Sequence, residues 1–184
     1  RSRKPTMTDD QAPGGAAVLA GKVAVVTGGA QGIGAAISRL LAQHGAAVAL
    51  ADVAAEEAGA TAREIETAGG RARAHVADVR DSAAVERFAK EVLHEHGRVD
   101  VLVNNVGDYL RAVPFGRSDP AHWDALCRVN LHHVFLVTRA FVPAMIERRS
   151  GSIINVSSVE GLRGYPADPV YAAFKAAVVQ FTRS

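Results

Sequence analysis

The chain has 184 residues, 48% of them apolar and 22% charged, enough for one domain around a single hydrophobic core. A net charge of +2, with Lys and Arg scattered beyond Arg1-Ser2-Arg3-Lys4, gives no basic stripe of the kind nucleic-acid binders carry. Cys127 is the sole cysteine, which excludes an intrachain disulfide, and no continuous apolar run reaches the roughly 18 residues of a membrane span.

Residues 1–20 are polar, then rich in Gly and Ala, and lack the apolar centre of a signal peptide. They are expected to form a flexible segment ahead of a domain over 21–184. "KVAVVT" (22–27) is a short β-branched run, the mark of a buried strand. "GIGAAISRLLAQHG" (32–45) has helical apolar spacing and a terminal glycine stop. Strand "AAVALAD" (46–52), a helix ending at Gly69-Gly70, strand "RARAHVADV" (71–79) and an amphipathic helix over 82–97 follow. Ser82 is the expected N-cap of that helix and Gly97 its stop. "VDVLVNN" (99–105) is a fourth strand, residues 120–148 one long helix kinked at Pro143, and "GSIINVSS" (151–158) a fifth strand. A last helix opens near Pro169. This alternation predicts an α/β fold with a doubly wound parallel sheet.

"TGGAQGIG" (27–34) joins the first strand to the first helix. Ligands of open α/β sheets bind at strand carboxyl ends, and glycines let backbone approach a pyrophosphate at a helix N-terminus. The spacing G-x-x-x-G-x-G differs from the dinucleotide fingerprint, and no G-K-[ST] is present for a triphosphate loop. A tight turn without ligand is the competing reading. Asp52 ends the second strand, where a carboxylate can accept both ribose hydroxyls and repel a 2′-phosphate. No Lys or Arg follows within ten residues, and Gln31 stands where a basic residue would meet that phosphate. NAD is therefore expected over NADP.

Together with "DV" at 78–79, "NNVG" (104–107), Asn130, "SS" (157–158) and "YAAFK" (171–175), the glycine loop resembles the short-chain dehydrogenase/reductase family, in its short-subunit branch. The motifs span 22–184. The resemblance implies a Rossmann-type fold, a nicotinamide cofactor and hydride exchange with a secondary alcohol or ketone. It implies cofactor contacts from Gly28, Gln31, Gly32, Ile33, Gly34, Asp52, Val53, Asp78, Val79, Asn105, Val106, Gly107, Tyr171 and Lys175. Val106 replaces the family's usual alanine. Asn104 is expected to tie neighbouring strands, and no metal is expected.

Tyr171 and Lys175 are four apart on a predicted helix and share a face. An ammonium beside a phenol, and a cationic nicotinamide near it, are expected to lower its pKa so that it can exchange a proton with substrate. Ser158 lies 171 − 158 = 13 residues before Tyr171, the family's interval, and its hydroxyl can meet the substrate oxygen. Ser157 is the alternative partner. Asn130 matches the residue that holds a water near the lysine. Asp108, Tyr109, Glu160, Leu162, Arg163 and Tyr165 follow strands four and five and fit either a substrate pocket or a surface rim. His132 and His133 lack metal-ligand spacing and read as packing or solvated residues.

The family continues for roughly another third beyond the last motif, so the resemblance implies that C-terminal strands and a substrate lid are missing from these 184 residues. Two functions follow: an NAD(P)-dependent oxidoreductase, cytoplasmic and homo-oligomeric (dimer or tetramer), acting on a small alcohol or ketone; or a non-catalytic remnant that binds dinucleotide or a partner subunit. Neither involves nucleic acid or membrane.

Overall fold

A computed structural model describes residues 17–184. Five strands alternate with helices: β1 (Val23–Thr27), α1 (Gly32–Gln43), β2 (Ala47–Asp52), α2 (Ala55–Thr67), β3 (Arg71–Val76), α3 (Ser82–His96), β4 (Val101–Asn104), α4 (Pro120–Cys127), α5 (His133–Glu147), β5 (Ser152–Asn155) and α6 (Pro169–Arg183). The sheet order is β3-β2-β1-β4-β5, and every pairing is parallel. The strand order reverses beside β1, so the carboxyl ends of β1 and β4 diverge to leave a crevice.

The two faces of β1 are read off its side chains by alternation. Val23 and Val25 face one core with Val85, Phe88, Val92, Val137, Phe141 and Met145 of α3 and α5. Ala24 and Val26 face the other with Ala42, Ala58, Ala62 and Ile65 of α1 and α2. β1 is buried along its whole length, which is why its sequence shows no polar alternation. β3 and β5 are the edges, and Ile154 of β5 is 48% exposed.

Four expectations change. Residues 17–20 belong to the domain, because the Leu19 N–H donates to the His44 carbonyl at 2.9 Å and its side chain packs on the α1–α2 core. Residues 1–16 lie outside the described part. The cap of α3 is Asp81, whose carboxylate accepts the Ala83 N–H, rather than Ser82. The predicted 120–148 helix is split by a π turn at Arg128–His132, whereas Pro143 is accommodated inside α5. The buried Asn130 amide donates to the Leu126 carbonyl at 3.1 Å, so a side chain does what a backbone N–H normally would and the register widens there. The stretch Pro120–Glu147 is also long and apolar enough to cross a membrane by length and composition. Its apolar residues Val134, Val137, Phe141 and Met145 are buried within the domain.

Opposite the crevice, Asp100 gathers the amino-terminal ends of β1, β4 and α5's exit. It accepts the Val23 N–H at 2.9 Å, Arg98 Nε at 2.8 Å and Arg148 Nη2 at 3.3 Å. Burial pushes its pKa up, but Arg98, the Val23 N–H and Arg148 outweigh it and bring the value down to about 2. A depressed carboxylate contributes stability that is complete above the unfolded pKa and is lost as pH falls through the folded one. Asp100→Asn is therefore expected to destabilise the fold by about 2 kcal/mol at pH 7. In denaturant titrations the gap from wild type should close between pH 4 and pH 2; a constant gap would show that the carboxylate's charge is not what matters.

Candidate active site and cofactor cleft

The crevice is a cavity of about 360 Å³ lined by Gly28, Gln31, Asp52, Val53, Asp78, Val79, Asn105, Val106 and Gly107, along with Ala51, Ala77, Arg80, Asp108 and Val129. Nine of the expected cofactor residues thus come together. Gly32, Ile33 and Gly34 form the start of α1 beside it, with Ile33 66% exposed.

The glycine loop is needed for two separate reasons. Gly28 has φ +64°, a left-handed conformation that side chains resist. A Cβ on Gly34 would lie 1.9 Å from the Gly28 carbonyl oxygen, so here the requirement is close approach. The loop is held from β4: Asn105 Nδ2 donates to the Thr27 and Gly28 carbonyls at 3.0 and 3.2 Å. The Asn105 N–H donates to Thr27 Oγ1 at 3.0 Å. Asn105 therefore shapes the cleft from behind.

The start of α1 is left open for an anion. Helices α3, α4 and α6 are each capped by an aspartate, Asp81, Asp119 and Asp168. Helix α1 starts at Gln31 with no side-chain cap and no acidic residue in its first turn. Its terminal N–H groups and positive dipole end are left for a ligand phosphate. Asp52 sits one loop away, its carboxylate accepting the Ala30 N–H at 3.0 Å and the Ala54 N–H at 3.1 Å. These bonds fix the carboxylate at the cleft's edge. Asp78 is clasped by Arg80, which holds its carboxyl below the usual range. These features fit a dinucleotide: a Cβ-free cradle, an open helix terminus and an acidic group at the ribose end.

On the other side of β4 lie the expected catalytic residues. Lys175 is 3% exposed; its Nζ donates to the Val156 carbonyl at 3.3 Å and stands 5.8 Å from the Tyr171 ring centre. A Cβ on Gly107 would fall 2.5 Å from that Nζ, so this glycine makes room for the ammonium. Ser157 Oγ donates to the Lys175 carbonyl at 2.8 Å and is spent on anchoring α6. The Ser158 hydroxyl lies with Tyr171 and contacts the Glu160 carboxylate. Asn130 clamps the β4 loop, its Oδ1 accepting the Asp108 N–H at 3.1 Å and its Nδ2 donating to the Asp108 carbonyl at 2.6 Å. Asn104 ties the strands as expected, donating to Asn155 Oδ1 at 2.8 Å.

The expected lowering of the Tyr171 pKa is not found in the free protein. Burial raises it foremost, the Ser158 hydroxyl opposes, and Glu160, Tyr109 and Asp108 add to the rise. The Lys175 ammonium points to a carbonyl rather than the phenol oxygen, and burial lowers its own pKa. His133 was legible only as a packing or solvated residue. It is fully buried, with its pKa pushed down to about 4 by burial and then by Lys175. Its position beside the site follows from the π turn, which leaves no sequence signature. Cys127 is half-buried, and burial pushes its thiol up, away from a nucleophile's range.

The family profile described as short chain dehydrogenase matches residues 22–184. The chain belongs to the short-chain dehydrogenase family. Among curated relatives, a 3-oxoacyl-[acyl-carrier-protein] reductase FabG of Thermotoga maritima is 42% identical over 166 residues, covering 90% of this chain and 67% of the relative. A 2,3-dihydro-2,3-dihydroxybenzoate dehydrogenase of Bacillus subtilis is 39% identical, covering 90% of this chain and 63% of the relative. A solved metagenomic short-chain oxidoreductase in complex with NADP superposes with a TM-score of 0.85 at 46% identity, covering 89% of this chain and 74% of that one. The chain spans about two thirds of the length of these curated relatives.

Gly34→Ala is expected to force Gly28 away from α1 at a cost of about 1–3 kcal/mol, the range for overpacking. Thermal melts and dinucleotide titration should both register the change; an unaltered melting temperature and affinity would mean that the loop is looser than described.

Proposed function

We propose that this chain is the cofactor-binding and catalytic part of a nicotinamide-dependent oxidoreductase that interconverts a secondary alcohol and a ketone. The observation that carries this reading is the convergence of Ser158, Tyr171 and Lys175 beside a cleft with an open helix terminus. A bound nicotinamide would supply the hydride acceptor or donor, and everything else falls to the chain's own groups. Ser158 holds the substrate oxygen. Tyr171 takes the hydroxyl proton in oxidation and returns it in reduction. Its raised pKa in the free protein favours the protonated phenol, so positive charge arriving with the oxidised cofactor and a reoriented Lys175 would poise it as a base. Lys175 holds the cofactor's nicotinamide ribose, and Asn130 fixes the loop that floors the site.

Asp52 supports NAD. Its carboxylate is fixed at the ribose end, and neither Gln31 nor residues 53–62 offer a cation for a 2′-phosphate. The NADP complex of the 46%-identical structure argues the other way by analogy, so titration decides. The assembly is read as a homo-oligomer because Phe135 and Phe181 pack edge to face at 4.9 Å yet remain 40% and 37% exposed.

NAD is expected to bind at least about tenfold more tightly than NADP, a difference near 1.4 kcal/mol, and Asp52→Ala to narrow it. Equal or tighter NADP binding overturns the preference. Tyr171→Phe should cut turnover of secondary alcohols by ~10²–10⁴ while leaving cofactor binding intact. Wild-type chain that binds dinucleotide but reduces none across an alcohol panel would overturn the oxidoreductase reading.

A further inference from the structure

One contact on the catalytic side goes beyond what the proposed reaction needs. Ser158 Oγ is hydrogen-bonded to the Glu160 carboxylate, while the Glu160 N–H points back to Ser158 Oγ at 3.4 Å. An ionised carboxylate only accepts, so the proton between them belongs to the serine. The Ser158 hydroxyl is the first cause holding the Glu160 carboxyl below its usual range. The geometry is pinned. Val159–Gly161 is a single helical turn capped by Ser158, and a Cβ on Gly161 would come within 2.7 Å of the Lys175 carbonyl carbon. The turn is therefore seated directly on α6, beside the residues of the proposed chemistry.

We infer that Glu160 is a specificity-determining residue that selects substrates carrying a second hydrogen-bond donor, a hydroxyl or amino group, on the carbon next to the reacting one. The inference rests on the oxidoreductase reading of Ser158 and Tyr171. To hold a substrate oxygen, Ser158 must turn its proton away from Glu160. The carboxylate then keeps only its own backbone N–H and the nearby charge of Arg163, with which it makes no ion pair among the described residues. A vicinal hydroxyl lies about one hydrogen-bond length from the reacting oxygen, the same separation that relates Ser158 Oγ to the carboxylate. Its donor replaces the one that Ser158 withdrew, and the count of satisfied groups is unchanged. A plain secondary alcohol or ketone brings no such donor and leaves that place on the carboxylate to solvent.

The facing wall is engaged elsewhere in part. Asp108 Oδ1 already accepts the Leu110 N–H at 2.7 Å, and Tyr109 packs edge to face on Tyr171 at 5.4 Å. Glu160 is the acidic group whose present partner is the very hydroxyl the substrate must take.

The test compares cyclohexane-1,2-diol with cyclohexanol, binding measured by ligand-observed NMR on the full chain. Wild type is expected to bind the diol about tenfold more tightly, Glu160→Leu to bring the two within about twofold, and Glu160→Gln to retain part of the preference because its carbonyl still accepts. Equal binding in wild type, no detectable binding of either, or a preference that survives Glu160→Leu overturns the inference. Turnover with NAD is read in parallel. Diol preference without oxidation would sink the oxidoreductase reading and leave the Glu160 inference standing. Oxidation of both alcohols with equal KM would do the reverse.

Discussion

A buried ammonium organises the β4–β5 side of this molecule. Lys175 is 3% exposed, and a desolvated cation at that depth must be met by carbonyl oxygens. Val156 supplies one directly, at 3.3 Å. Ser157 fixes the backbone that carries the lysine by donating to its carbonyl, and Gly107 stays bare so that the ammonium has a place. These three come from the loops that follow β5 and β4. The sheet order that sets β4 beside β5 is thus also what lets α6 hold a charged group against their ends. The neutral His133 ring follows first from its own burial and then from the neighbouring cation, which together push its pKa down to about 4.

The cofactor side follows the opposite logic. Carboxylates cap α3, α4 and α6, so their N-terminal dipoles are already satisfied. Leaving α1 uncapped costs stability that a bound phosphate would restore. Asp52 could repel that phosphate were it free to swing, but its two backbone donors hold it at the cleft's edge. The same bonds stiffen the loop between β1 and α1. A group proposed for cofactor choice is therefore also a structural part of the loop that makes the choice possible.

Much of this was legible in the sequence. The buried runs 22–27 and 46–52 and the glycine loop announce β1, β2 and the crevice, because local conformation and burial fix them. The 13-residue interval to Tyr171 favours Ser158 over Ser157 in the sequence, and in the fold the Ser157 hydroxyl is bonded to the Lys175 carbonyl. What sequence could not reach was set by tertiary partners. The π turn arises because Asn130 answers to Asp108, 22 residues away, as well as to Leu126. The cap moved from Ser82 to Asp81 since either side chain could serve, and only backbone geometry decides. The Tyr171 phenol was expected to be lowered by a lysine on its own helix face. Sharing a face does not fix where a long side chain ends, and that ammonium turned to Val156.

The segment 104–108 shows how the two halves become one device. Each of its five residues is committed to a different neighbour. Asn104 binds Asn155 of β5, Asn105 binds the Thr27–Gly28 backbone, and Val106 lines the cleft. Gly107 yields to Lys175, and Asp108 is clamped by Asn130. The segment cannot shift one of these far without moving the others, since planar peptide units hold consecutive Cα atoms at a fixed spacing. A displacement of the glycine loop by a bound dinucleotide would therefore be felt at the Lys175 ammonium through only two peptide units. In that setting the valine at 106 has an effect beyond filling space. Its Cγ2 would lie 3.1 Å from a Cβ on Gly28, so its bulk braces the loop on the same segment that Lys175 braces from behind. Substitutions at 105, 106 and 107 are then expected to be non-additive, because each relaxes a strand end whose position the other two help to set.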